Sequence, residues 1–281
     1  MRMLEDYYNP QELLAPGQPI QVWVQGNTIY IDAYFRYNKA ALKPWIIDGM
    51  SQADLIEAGI IRKWSGEYKL RSKRFKGYIK SRVVVNIRRE LIPDSICSVL
   101  PHPFSLKRQR AVLVKIRNLL FMPAHVISPW YRRLWGVLRT GQWESLGTNW
   151  ARHAPGIMIM PPCPSGSIPW YERMAAHEAG HLFGLGDAYG AIYRYYYAAP
   201  GTTNFMMHNN RQVQPKEITM LLEAHMIGKM QFFPKKWDKK TFIDGFKREI
   251  DQKTRELERR TNQRKKSRQK QKQARLARRS E

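Results

Sequence analysis

The run AHEAGHLFGLGDAY at 176–189 holds the residues best suited to chemistry. His177 and His181 stand four apart, so on a helix they share one face and can offer two imidazole nitrogens to one cation. Glu178, one step from His177, does not ligate in this pattern but projects beside the cation, where a carboxylate can take a proton from bound water. Gly184 permits a left-handed turn that a β-carbon would penalise, which ends the helix and swings the chain back. Asp187 then arrives as a hard oxygen donor and completes a set of His177, His181 and Asp187. Zinc suits that set, because it accepts neutral imidazole and carboxylate and keeps one position open for water. The pKa of such a water falls from about 15.7 to about 7. At this composition the bare HExxH arises by chance in roughly one sequence in a hundred, and requiring Gly and Asp at their offsets lowers that by roughly several hundred more. Gly180 inside the helix costs ~1 kcal/mol and would be offset by close packing beneath the metal.

The surrounding elements follow from local pattern. Pro169 suits a first helical position, and the helix runs from there to about Gly184. Before it, 156–160 reads as the last strand, stopped by Pro161 and Pro162. Near the start, 21–25 and 28–34 alternate apolar and polar residues around Gly26-Asn27, which predicts a β-hairpin. Ser51 with Asp54 forms a variant capping box, opening a helix expected to end near Gly59. Two further β-prone runs cover 80–89, around Val83, Val84 and Val85, and 111–116. A second helix is expected at 216–227, with Ile218, Leu221, Leu222 and His225 on one face. The Trp- and Arg-rich stretch 130–150 fits no single element.

HEAGHLFGLGDAY resembles the signature of the metzincin clan of zinc peptidases, in the minority HExxHxxGxxD form found in snapalysin-like enzymes. Metzincins carry a second mark, a Met-containing turn beneath the metal, and NFMMHNN places Met207, His208 and Asn209 in that register, ahead of the helix at 216–227. The resemblance implies an α+β, metzincin-like fold: a twisted mixed β-sheet, an active-site helix and a mainly helical C-terminal subdomain. It implies a zinc metalloendopeptidase acting on a peptide or protein substrate, with an extended peptide lying beside a strand near 156–160. The family position after Met-His is commonly Tyr, whose hydroxyl can stabilise the oxyanion; here it is Asn209, and Tyr189 or the cluster Tyr193, Tyr195, Tyr196 and Tyr197 could substitute. His208 reads as a neighbour of the site rather than a fourth ligand. Cys163, 14 residues before His177, reads as a plain thiol, with a latency ligand as the sharper alternative.

The 281 residues carry 43% hydrophobic and 12% aromatic side chains, ample for a buried core, and a net charge of +25. No run approaches the ~18 apolar residues of a spanning helix, and the acids in MRMLEDYYNPQELL do not suit a signal peptide. Two cysteines, Cys97 and Cys163, supply no disulfide framework. The expected setting is cytoplasmic, or export by a non-classical route. Residues 1–14 are expected to be an N-terminal extension, 15–234 the peptidase domain and 235–281 a basic helical or disordered tail bearing +12. That tail, and the segment 62–90 with 11 Lys and Arg interleaved with Trp64, Tyr68, Phe75 and Tyr78, could contact an anionic polymer such as nucleic acid without reading its sequence. The competing function is therefore a basic nucleic-acid-binding or scaffold protein whose metal site is structural or vestigial. His102, His125, His153 and His225 have no partner at metal spacing and read as structural.

Overall fold

Alternation of Val22, Val24, Ile29 and Ile31 builds the first hairpin in the computed structural model. The structure describes residues 3–9, 13, 17–44, 49–90, 110–117, 124–140, 148–163, 167–189 and 199–234, with positions 239–240, 242–248, 250–251, 254–255, 258 and 261–262 of the tail. Strand β1 (Ile20–Gln25) pairs antiparallel with β2 (Thr28–Tyr37), Val24 opposite Ile29, across the turn at Gly26 and Asn27. The described N-terminal residues are part of this layer: Leu4, Tyr8 and Leu13 are fully buried, and Glu5 N–H donates to the Gly26 carbonyl.

Around β2 the sheet is mixed. β3 (Gly66–Leu70) pairs antiparallel with β4 (Ile79–Arg89), and β4 runs parallel to β2 with Ile29 opposite Val83. The end of β2, Phe35–Tyr37, runs parallel to β5 (Val112–Ile116), which runs parallel to β7 (Ile157–Met160). β6 (His125–Ile127) closes that side antiparallel to β7. The order is β3-β4-β2-β5-β7-β6, with β1 also on β2. β7 is thus paired on both flanks, and the expectation that a substrate strand lies along 156–160 does not hold. The outer strand there is β6, whose Val126 carbonyl already accepts from Thr148 Oγ1 at 2.7 Å.

Short helix α1 (Lys39–Leu42) leads to α2 (Gln52–Trp64), which opens on the expected box: Ser51 Oγ accepts from Asp54 N–H and Asp54 Oδ2 from Ser51 N–H. The helix does not stop at Gly59. Ile60 and Trp64 beyond it are fully buried, and the Trp64 indole N–H donates to the Ala176 carbonyl at 2.8 Å, so tertiary burial carries the helix past the glycine. The stretch that fits no pattern contains α3 (Trp130–Thr140). After β7 come α4 (Ile168–Leu182), the single turn α5 (Met206–Asn209) and α6 (Pro215–Ile227). α2 lies along α4 and is clamped to it by Arg62, whose two terminal nitrogens each donate to Glu172 at 2.9 Å.

The architecture is α+β, with one face of the sheet and α2, α4 and α6 sharing a core. Among the described residues no helix is long and apolar enough to cross a membrane. The described tail residues are helical and mostly exposed.

Candidate metal centre

α4 presents His177 and His181 one turn apart, and the chain after the helix brings Asp187 back to them. His177 Nε2 lies 3.1 Å and His181 Nε2 3.4 Å from the same oxygen, Asp187 Oδ1. The three donor atoms all fall within 4.8 Å of one another. Gly184 makes the return possible: its φ of +92° lies in the left-handed region. Gly184 N–H donates to the His181 carbonyl and Leu185 N–H to the Gly180 carbonyl, the paired bonds of a Schellman cap. The same cap aims the Leu185 carbonyl at His181, whose Nδ1 donates to it at 2.8 Å. The Trp150 indole N–H holds the last turn by donating to the Leu182 carbonyl at 2.7 Å.

The Met-containing turn does the equivalent for His177. Nδ1 of that ring donates to the Met206 carbonyl at 2.8 Å, and Ala188 N–H, next to Asp187, donates to the Met207 carbonyl at 2.8 Å. Met207 is fully buried beneath α4, and its presence there accounts for Gly180: a β-carbon on that glycine would stand 2.2 Å from Met207 Sδ and 3.1 Å from the Trp64 ring. The turn itself is fixed by Glu217, a fully buried carboxylate on the first turn of α6. Glu217 Oε1 accepts from Met207 N–H at 2.8 Å, and Oε2 from Gln214 N–H at 2.7 Å and Met206 N–H at 3.3 Å. Burial still pushes its carboxyl up to about 7 against those donors.

These hydrogen bonds decide the tautomers. A carbonyl can only accept, so each Nδ1 carries a hydrogen and each neutral ring turns the Nε2 lone pair toward Asp187. Two lone pairs then face a carboxylate oxygen that is buried without a hydrogen-bond partner. Protons or a cation must sit between them. Without a cation, burial disfavours the protonated rings but Asp187 outweighs it, raising His177 and pushing His181 up to about 9. Burial likewise opposes ionisation of Asp187, and the two rings outweigh it, holding its carboxyl well below the usual range. A divalent cation supplies the same compensation with both imidazoles neutral, so the donor set fits a metal ion.

Glu178 is buried beside this group, and its Oε2 also has no hydrogen-bond partner. Burial raises its pKa, while the rings of His181 and His177, and more weakly His125 on β6, pull it down. His125, read from the sequence as structural, is therefore an electrostatic neighbour of Glu178. Tyr189 stacks on His177, with ring centres 6.1 Å apart and planes 11° apart, and also faces His208 at 6.0 Å. Tyr193, Tyr195, Tyr196 and Tyr197 lie outside the described residues, as do Cys97 and His102.

His208 is not in the donor group; its Nδ1 meets Thr202 Oγ1 at 3.0 Å, and that hydroxyl donates to the Ala199 carbonyl. Nor is Cys163, which is buried near Glu172, its thiol pushed up to about 11 by burial. Asn209 Nδ2 donates to the Thr203 carbonyl. The basic segment 62–90 is partly neutralised, mostly by acids from other parts of the chain: Arg62 pairs with Glu172, Arg74 with Glu223, Lys80 with Glu67, Arg88 with Asp32, and Arg89 with Asp54 and Glu57.

Sequence reasoning missed Glu217 and Trp150, and it set Trp64 among the aromatics of a basic surface, whereas that ring is fully buried beneath α4 and unable to stack on an anionic polymer. Only Glu217 carries a local signal, an acid three residues after Gln214 with Pro215 between them at the start of a helix. Compared with known proteins, the chain matches no family model, no curated protein and no solved structure.

Proposed function

We propose that this chain is a zinc-dependent metalloendopeptidase of metzincin-like fold that hydrolyses peptide bonds in a peptide or protein substrate. The observation that carries the reading is the convergence of two imidazole lone pairs and an unpartnered Asp187 oxygen, with the unpartnered Glu178 oxygen beside them. His177, His181 and Asp187 would hold the ion, and two imidazoles with one carboxylate is a set that zinc accepts while keeping a position open. When bound, zinc supplies an acidified water and polarises the scissile carbonyl.

The remaining work falls to the chain's own groups. Glu178 accepts the proton of the attacking water at its carboxylate and returns it to the leaving amine nitrogen. Its burial excludes bulk water that would otherwise compete for that proton. The carbonyls of Met206 and Leu185 keep both rings in the tautomer that leaves Nε2 open. Tyr189, whose ring stands against His177, would donate to the developing oxyanion in the absence of a tyrosine at 209. The order of α4, returning Asp187, buried Met207 turn and α6 supports the metzincin-like assignment.

The test is a peptide-library digest with wild type and Glu178→Gln. The variant should keep its metal and lose turnover; peptide cleavage retained in that variant rules the mechanism out. Salt-sensitive nucleic-acid binding that is indifferent to chelator, without any cleavage by wild type, would favour the basic scaffold instead.

A further inference from the structure

The helix that the sequence left unassigned is mounted with its apolar side outward. On α3, Trp130, Leu134, Trp135 and Leu138 are 65%, 53%, 62% and 79% exposed, with Tyr131 beside them. At 100° per residue these positions span about 140° of the helix, one broad face. The opposite side is the one held to the protein: Gly136 is buried, and Arg132 donates to the carbonyls of Ala154 and Asn149 at 3.0 Å. A soluble helix normally shows water the arginines and hides the tryptophans. Large apolar side chains exposed together on one helix face mark an interaction site.

We propose that α3 docks this protein on an anionic lipid bilayer, lying in the interface with its Trp and Leu side chains inserted among the headgroups. Three features single out that occupant. Trp and Tyr with Leu is the composition that settles at the headgroup level, where amphipathic rings have one end apolar and one end wet. Charge is complementary: residues 130–140 hold no acid, so nothing on the exposed face repels an anionic surface, and the chain as a whole carries +25. Each cation near an anionic surface adds on the order of 1 kcal/mol of attraction. The pattern also recurs in the tail, where Ile243, Phe246 and Ile250 are exposed at helical spacing among Lys239, Lys240, Lys247 and Arg248. The inference is independent of the peptidase reading, because no residue of α3 belongs to the metal centre.

Co-sedimentation of the full chain with extruded vesicles tests it, using phosphatidylcholine alone and phosphatidylcholine with about one-third phosphatidylglycerol. Wild type should partition onto the anionic vesicles, less so at high salt, and weakly onto the neutral ones. Trp135→Ser/Leu138→Ser should partition at least about tenfold more weakly with unchanged thermal unfolding and metal content, since both side chains are exposed. Equal partitioning of wild type and variant would overturn the proposal, because charge alone would then suffice. Absence of vesicle binding would overturn it too, as would a wild-type dimer in solution that the substitutions dissolve, which would make a second copy the occupant.

Discussion

Gly180→Ala examines the contact between the helix that carries His177 and His181 and the turn beneath it. In a solvent-exposed helix the change would stabilise by ~1 kcal/mol through propensity alone. Here the new β-carbon would lie 2.2 Å from Met207 Sδ, where relaxed contacts are about 3.5–4.0 Å, so the sulfur must retreat by more than about 1 Å. Met207 is fully buried, and Trp64 on the other side is held through its indole bond to Ala176, so little room exists for that retreat. Overpacking of this kind costs ~1–3 kcal/mol, and net of the propensity gain the variant should lose up to roughly 2 kcal/mol. The displacement also reaches the ligands, because Met206 holds the His177 ring and Met207 the backbone next to Asp187; zinc affinity should fall by about tenfold. Urea unfolding of metal-free protein reads the first effect and chelator competition the second. In a Met207→Ala background the β-carbon enters vacated space, so Gly180→Ala should there cost nothing, a coupling of at least about 1 kcal/mol. A stabilised Gly180→Ala protein, or equal costs in the two backgrounds, would show that Met207 does not press on this glycine.

His225 should make the fold acid-sensitive. It is fully buried against Trp150, neither ring nitrogen has a hydrogen-bond partner, and burial, with a smaller push from Arg152, lowers its pKa to about 3. The unfolded chain takes up this proton near its ordinary value of ~6.5 and the folded one does not, so stability contributed at neutral pH is lost as pH falls. Between about pH 7.5 and 5 that loss is roughly 2 kcal/mol, and His225→Phe should flatten it in urea midpoints measured across the range. Glu217→Gln puts an amide where three backbone N–H groups need acceptors; zinc affinity should drop about 10–100-fold, and an unchanged affinity would show that the turn positions itself.

What the sequence discloses about this molecule is local, and what it conceals is tertiary. The Gly26-Asn27 hairpin, the Ser51 box and the helices at α4 and α6 are set by neighbours within a few residues, and the structure has each of them. His177, His181 and Asp187 were legible for the same reason: one helical turn and one glycine-permitted reversal suffice to gather them. The end of α2 was not legible, because Trp64 finds its acceptor on Ala176, far along the chain. The pairing of β7 on both flanks depends on β5 and β6, which nothing within 156–160 announces. The internal partners of the basic segment were hidden likewise: Glu172 and Glu223 meet Arg62 and Arg74 only once the chain is folded.

The most direct measurement is elemental analysis of protein purified without chelator, on wild type beside Asp187→Ala and His181→Ala. Wild type should carry close to one zinc per chain and both variants markedly less, and stripped wild type should gain thermal stability when zinc is added back. Wild-type protein that emerges folded yet free of transition metal, and whose melting ignores added zinc, would contradict it.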